Sequence, residues 1–124
     1  MEERIEVVET AYEFMLAYAA QGREDDATAA PGQSVRAVLA DLDGALDGLE
    51  TTLGDDEPFH AVVCEDIGRT RKALALVLAS PRISSELVDN LNASMHLRAV
   101  LTDLFLISEA ARIRGGTPRQ GAGG

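Results

Sequence analysis

The sequence contains no tryptophan, one cysteine and five aromatic residues among its 124 positions. The lone thiol, Cys64, cannot form a disulfide within the chain, which suits a reducing compartment and predicts a cytoplasmic protein. A single thiol also excludes a metal site built from several cysteines of one chain. The chain has few aromatic side chains, no phosphate-binding glycine loop and no nucleophile elbow, so nothing indicates a catalytic cleft. We therefore expect a protein that is not an enzyme and needs no cofactor.

Long apolar runs and basic residues are also scarce. No apolar run approaches the roughly 20 residues that span a bilayer, and the acidic start of the chain is not typical of a signal peptide. The 11 basic residues stand against 21 acidic ones, which gives a net charge of −10. A chain this acidic repels phosphate backbones and anionic lipid surfaces, so we expect neither a nucleic-acid nor a membrane partner.

The charge is unevenly distributed along the chain. Residues 1–66 carry 17 acids and three bases, a net of −14, whereas residues 67–124 carry four acids and eight bases, a net of +4. Two halves of opposite sign can neutralise each other within one protomer or across a dimer, or each can be solvated separately. The sequence leaves these interpretations open.

Apolar residues recur at helical spacing between the four prolines and the glycine-rich C-terminus. This periodicity predicts four helices, over about residues 3–21, 34–53, 58–79 and 84–114. Four helices with mostly short connections favour an all-α, antiparallel four-helix bundle of up-down-up-down topology. We assign residues 1–114 to one bundle domain and predict that residues 115–124 form a disordered, glycine-rich tail.

The clearest heptad pattern lies in the second predicted helix, where leucines repeat in steps of three and four residues. The second half of the fourth predicted helix is apolar in nearly every direction, which predicts burial on all sides. From these patterns we assign the following residues to the core: Leu39, Leu42, Leu46, Leu49, Val63, Ile67, Leu74, Leu91, Leu101 and Phe105.

His96 is the first candidate for chemistry. It lies on a polar stripe of the fourth predicted helix with Ser85, Asp89, Asn92 and Asp103. An exposed imidazole in the middle of a helix of a small acidic bundle is what a histidine phosphotransfer module presents to its partner. That family places a lysine nearby and a small residue one turn later, where this chain has Val100 and no lysine. His96 is therefore either a phosphotransfer residue or a solvated surface side chain.

His60 and Cys64 are the second candidate, because a spacing of four residues places both on one helix face. A metal would need a third ligand from elsewhere, and the alternative is a buried small thiol beside a border histidine. Glu57 and His60 also have the Glu-x-x-His spacing of ferritin-like di-iron bundles. Such a site needs a second copy of the motif, and the chain has none. We therefore expect no bound metal.

The second predicted helix carries small, uncharged residues opposite its leucines. We call Ala37, Ala40, Gly44, Gly48 and Thr51 the small-residue strip. Glycine in an exposed helix costs about 1 kcal/mol relative to alanine, so two glycines here either are tolerated on a solvent face of a stable bundle or allow close approach of another helix. Together with the apolar Leu104 and Phe105, the strip predicts an interaction face.

The leading hypothesis is thus a non-enzymatic interaction protein, either a homodimer or a small accessory subunit of a larger assembly. The alternatives are a phosphotransfer module that uses His96 and, more distantly, a metal-binding ferritin-like bundle.

Overall fold

A computed structural model of the chain describes residues 2–25 and 34–115, and all regular structure within these ranges is α-helical. The predicted all-α class is confirmed. Five helices occur where four were predicted: α1 (Glu2–Ala19), α2 (Val35–Thr52), α3 (Phe59–Leu78), α4 (Ser85–Ala93) and α5 (His96–Gly115). The predicted tail lies outside the described residues except for Gly115, which ends α5.

The predicted fourth helix is divided because the chain leaves the helical conformation at Met95. Met95 has a φ of 73°, a left-handed conformation that side chains with a Cβ adopt only at a cost. The Ser94 hydroxyl donates a 2.6 Å hydrogen bond to the Leu91 carbonyl and so closes the end of α4. The Ala99 amide then donates to the Met95 carbonyl, which opens α5.

Serine side chains define two of the helix starts. The Ser34 hydroxyl accepts a hydrogen bond from the Ala37 amide at 3.0 Å, and the Ser84 hydroxyl accepts one from the Leu87 amide at 3.1 Å. Both serines satisfy amides that have no partner within their own helix. The Arg36 guanidinium does the equivalent at the end of α3, where it donates to the Leu78 and Ser80 carbonyls at 2.7 Å.

Helix α1 packs against α2 and α4, and α3 packs against α2 and α5. The contact of α1 with α4 is fixed by Tyr18, whose hydroxyl donates to the Ile83 carbonyl at 2.6 Å. The Ser85 hydroxyl returns a hydrogen bond to the Tyr18 carbonyl, also at 2.6 Å. None of the helices in the described ranges is both long and apolar enough to cross a membrane.

The core contains nine of the ten residues assigned to it from the sequence. The prediction for Phe105 is wrong, because its side chain is 51% exposed. Burial on α5 follows one stripe at steps of three and four residues, formed by Leu97, Val100, Leu101 and Leu104. Phe105 lies about 100° around the helix from Leu104 and so points away from that stripe. The expected burial of this segment on all sides is therefore also wrong.

Candidate interaction surface

The small-residue strip on α2 is open in its middle and covered at one end. Ala40 and Gly44 are exposed, and a Cβ added at Gly44 would meet no other atom within 4 Å. At Gly48 the Arg4 side chain of α1 lies across the helix, where an added Cβ would overlap its guanidinium group. Ala37 is half-buried. The part of the strip that a partner could reach is therefore centred on Ala40 and Gly44.

A groove runs between α1 and α2 along the border of this strip. Its volume is about 490 Å³, and its walls include apolar side chains and three carboxylates: Val7, Phe14, Val38, Glu3, Glu6 and Asp41. A shallower depression of about 440 Å³ shares some of these residues and extends the groove toward Arg4 and Ala45. We call the two together the acidic groove.

The outward side of α5 carries the largest group of exposed apolar side chains on one helix of the described chain. Phe105 is 51% exposed, Leu106 is 55% exposed and Ile113 is 75% exposed. Leu104, which the sequence grouped with Phe105 as an interaction residue, is fully buried. That assignment is wrong, since no partner can reach Leu104 in this structure.

A cleft of about 520 Å³ lies where the start of α3 meets the end of α5, and His60 is part of its wall. Glu57 accepts a hydrogen bond from the Phe59 amide at 3.2 Å and pairs with Arg114 at 3.4 Å. The Phe59 amide, and to a lesser degree Arg114, lower the pKa of the Glu57 carboxyl. The His60 Nδ1 lies 3.0 Å from the Gly54 carbonyl. Glu57, His60 and Arg114 are therefore engaged in contacts at the start of α3, and the Glu57–Arg114 pair joins it to α5.

Cys64 and His60 have no third potential metal ligand grouped with them among the described residues. The Cys64 sulfur lies 4.0 Å from the Glu50 carbonyl, and burial, helped by the Glu50 charge, raises the pKa of the thiol. A raised pKa favours the thiol over the thiolate that metal ions bind. Within the described ranges no group of three or more potential metal-binding side chains occurs. Glu57, the other half of the Glu-x-x-His spacing, is held by Phe59 and Arg114.

His96 is the first residue of α5 and is half-buried, so its predicted position in the middle of a long helix is wrong. Its predicted stripe also differs from the structure. Ser85, Asn92 and Asp103 are 2%, 7% and 9% exposed, and they lie in the interior rather than on a solvated face.

The buried Asp103 lies beside the partly buried Asp66, a pairing that sequence reasoning missed. Burial, together with a hydrogen bond and the negative charge from Asp66 on α3, raises the pKa of Asp103 to about 7. The Asp103 Oδ2 and both polar atoms of the Asn92 amide are buried without a hydrogen-bond partner. The available signal was an acid three residues after the buried Val100, which places it close to the buried stripe of α5.

Comparison of the chain with protein-family models, with curated proteins and with solved structures gives no significant match. Function must therefore be argued from the surfaces described above.

Proposed function

We propose that this chain is a non-enzymatic interaction protein, a small acidic helical bundle that associates with itself or serves as a subunit of a larger assembly. The observation that supports this most directly is the open strip at Ala40 and Gly44. Glycine costs helix stability at an exposed position, and at Gly44 none of the described residues occupies the space that the missing side chain leaves. Close approach by another helix would explain why position 44 is a glycine.

The exposed apolar side chains of α5 support the same proposal. Phe105, Leu106 and Ile113 lie on one helix and are each at least half exposed. Grouped apolar exposure on a soluble protein commonly marks an interaction site. A catalytic role has less support, because Glu57, His60 and Arg114 are engaged in contacts that hold α3 and α5 together.

We also propose that the helices form an antiparallel bundle in which α4 and α5 together take the place of one long helix. This arrangement is supported by contacts that join the start of one helix to the end of the next. Arg36 of α2 meets Leu78 of α3, and Glu57 before α3 meets Arg114 of α5. With its one thiol the protein fits the cytoplasm, where we place its activity.

The test compares Gly44→Leu with Gly68→Leu. Both glycines are helical and have no atoms within 4 Å of an added Cβ, so neither leucine clashes within the protomer. Both variants should fold at least as stably as the wild type, since leucine is the better helix former. We expect Gly44→Leu to lose association, measured by light scattering or by co-purification from the native host, and Gly68→Leu to retain it. Equal association of the two variants would contradict the proposal.

A further inference from the structure

The acidic groove has more acids than bases, since Arg4 is the one base among its described lining residues. Its rim carries Glu3, Glu6 and Asp41. Among the described residues none of these three carboxylates forms an ion pair, whereas the acids Asp43, Asp47 and Glu50 on the other side of α2 all contact Arg71. The floor of the groove is apolar, with Val7 38% exposed. An occupant must therefore offer apolar side chains with basic side chains beside them.

The outward side of α5 has this composition. Its exposed apolar residues are Phe105, Leu106 and Ile113. Arg98 and Arg112 are exposed as well, and at 100° per residue they lie within about 20° of Phe105 on the helical projection. Arg98 forms no ion pair with any described residue, and Arg112 pairs with Glu109 of its own helix. The chain itself thus carries a surface of the kind that its groove requires.

The two surfaces also match in length. From Phe105 to Ile113 the outward face extends about 12 Å, at a rise of about 1.5 Å per residue. The stretch of α1 between Arg4 and Phe14, which lines the groove and its extension, covers about 15 Å on the same basis. Leu106 and Ile113 lie within about 20° of each other on the helical projection and Phe105 about 80–100° from them, so one helix can lie along the groove with the first two facing it and Phe105 at its edge.

Within a single protomer the two surfaces cannot meet, since α1 packs mainly on α2 and α4 while the outward side of α5 faces away from the core. We propose that the acidic groove of one copy binds the outward side of α5 of a second copy, so that copies associate head to tail. This inference rests on the proposed interaction function and names its partner. Because the two contacting surfaces differ, each pair of copies retains one free groove and one free α5, and the contact propagates into rings or chains.

The test uses two full-length variants that each disable one surface. Val7→Lys places a cation in the floor of the groove, and Ile113→Glu places an anion on the α5 face at a position that is 75% exposed. Leu76→Lys serves as the control, because Leu76 is 74% exposed on α3 and belongs to neither surface. Circular dichroism establishes that each variant folds, and sedimentation measures mass over micromolar to millimolar concentrations.

We expect the wild type and Leu76→Lys to form species larger than a dimer as concentration rises. Each of Val7→Lys and Ile113→Glu alone should be monomeric, with affinity weakened at least tenfold. Their equimolar mixture should form a heterodimer and nothing larger, because the α5 of the first variant fits the groove of the second. Should Val7→Lys or Ile113→Glu fail to fold, Glu6→Lys and Phe105→Glu test the same two surfaces.

Three results would overturn the head-to-tail contact. A wild type that stays monomeric throughout, and binds a synthetic lysine–leucine amphipathic helix only while Val7 is intact, would assign the groove to a different protein. A dimer unaffected by either variant would place the interface elsewhere. Two monomeric variants whose mixture stays monomeric would exclude complementary surfaces. If Gly44→Leu lost association while Val7→Lys and Ile113→Glu retained it, the interaction function would be supported and the groove contact contradicted. The two proposals can therefore fail separately.

Discussion

On the side of α3 that faces α2, Arg71 bridges three carboxylates, whereas on the side that faces α5 the two carboxylates of Asp66 and Asp103 meet each other. Arg71 lies 2.9 Å from Asp43, 3.0 Å from Asp47 and 3.3 Å from Glu50. These hydrogen bonds and negative charges, that of Asp43 first, raise the pKa of Arg71. The first junction thus sets one cation against three acids of α2, whereas at the second Asp66 pairs with Arg69 at 3.1 Å and Asp103 forms no ion pair with a described residue.

The contrast shows how the uneven charge of the sequence is resolved. Part of the acidic first half is neutralised by bases from the second half within the protomer, at Arg71, Arg82 and Arg114. The glutamates of α1 take no part in this, since within residues 2–25 and 34–115 none of the ion pairs involves them. Neutralisation within the protomer therefore accounts for part of the acidic first half, and the glutamates of α1 remain for solvent or for a second copy.

Removing apolar packing from the buried side of α3 should lower the free energy of unfolding by the largest amount. Leu74 of α3 is fully buried, and Leu74→Ala should lower the free energy of unfolding by roughly 2–5 kcal/mol. Leu76→Ala, two residues away and 74% exposed, should change it by less than about 0.5 kcal/mol. Urea denaturation followed by circular dichroism measures both. Similar effects for the two leucines would contradict the assigned face of α3.

The carboxyl pair should make stability depend on pH. Because the pKa of Asp103 is raised from 3.8 to about 7, the folded state keeps a proton that the unfolded chain has already lost between these values. Stability is therefore highest near pH 4 with respect to this group and falls as the pH rises to about 7, by at most roughly 4 kcal/mol at about 1.4 kcal/mol per pKa unit.

Asp103→Asn removes the titrating group and should flatten this dependence, so that the variant is more stable than the wild type at pH 8. Asp89→Asn makes the same chemical change at an exposed position of α4 and should leave the pH profile unaltered. Urea midpoints at pH 5 and pH 8 provide the comparison. An Asp103→Asn variant with the slope of the wild type would show that Asp103 ionises normally.

Removing the cation that joins α3 to the three carboxylates of α2 should lower the free energy of unfolding by a smaller amount. Arg71→Met keeps the aliphatic stem and leaves Asp43, Asp47 and Glu50 without their shared cation. We expect a loss of about 1–2 kcal/mol that shrinks in high salt, since these side chains are partly exposed and screened. Arg82→Met removes an ion pair at 3.9 Å whose side chains are 69% and 90% exposed, and should change stability little. An equal loss of stability in Arg71→Met and Arg82→Met would contradict the expectation that the cluster contributes more than the isolated pair.

The sequence was sufficient for the helical class and for most of the core, because burial on one side of a helix imposes a spacing that can be read directly. Leu39, Leu42, Leu46 and Leu49 are all fully buried for this reason. Periodicity fails where a segment is apolar in every direction, as around Phe105, because the pattern then contains no information about which side faces inward.

The pairing of Asp66 with Asp103 and the acidic groove were not predicted, for a different reason. Asp66 and Asp103 are brought together by the packing of α3 on α5, and Glu3, Glu6 and Asp41 by that of α1 on α2. Such pairings depend on the rotation and register of two helices, which the spacing along either one does not determine. Only the small-residue strip could be recognised beforehand, since all its members lie on one helix.

The smallest expected effect concerns the break that sets where α5 begins. The sequence contains no glycine or proline between Pro81 and Gly115, so one continuous helix was the natural prediction. Met95 interrupts it in the left-handed conformation, with its side chain 65% exposed. Glycine adopts this conformation without the steric cost that any Cβ incurs. Met95→Gly should therefore be more stable than Met95→Ala by about 1 kcal/mol.

The alanine variant is the matched control, because it shortens the same exposed side chain but keeps the Cβ. In a continuous helix the order would be reversed, since glycine is there about 1 kcal/mol less favourable than alanine. Thermal or urea unfolding measures the difference in stability between the two variants. Its sign shows whether the backbone at position 95 is left-handed or helical. A more stable Met95→Ala would restore the single helix over residues 84–114, and with it the position of His96 in the middle of a helix.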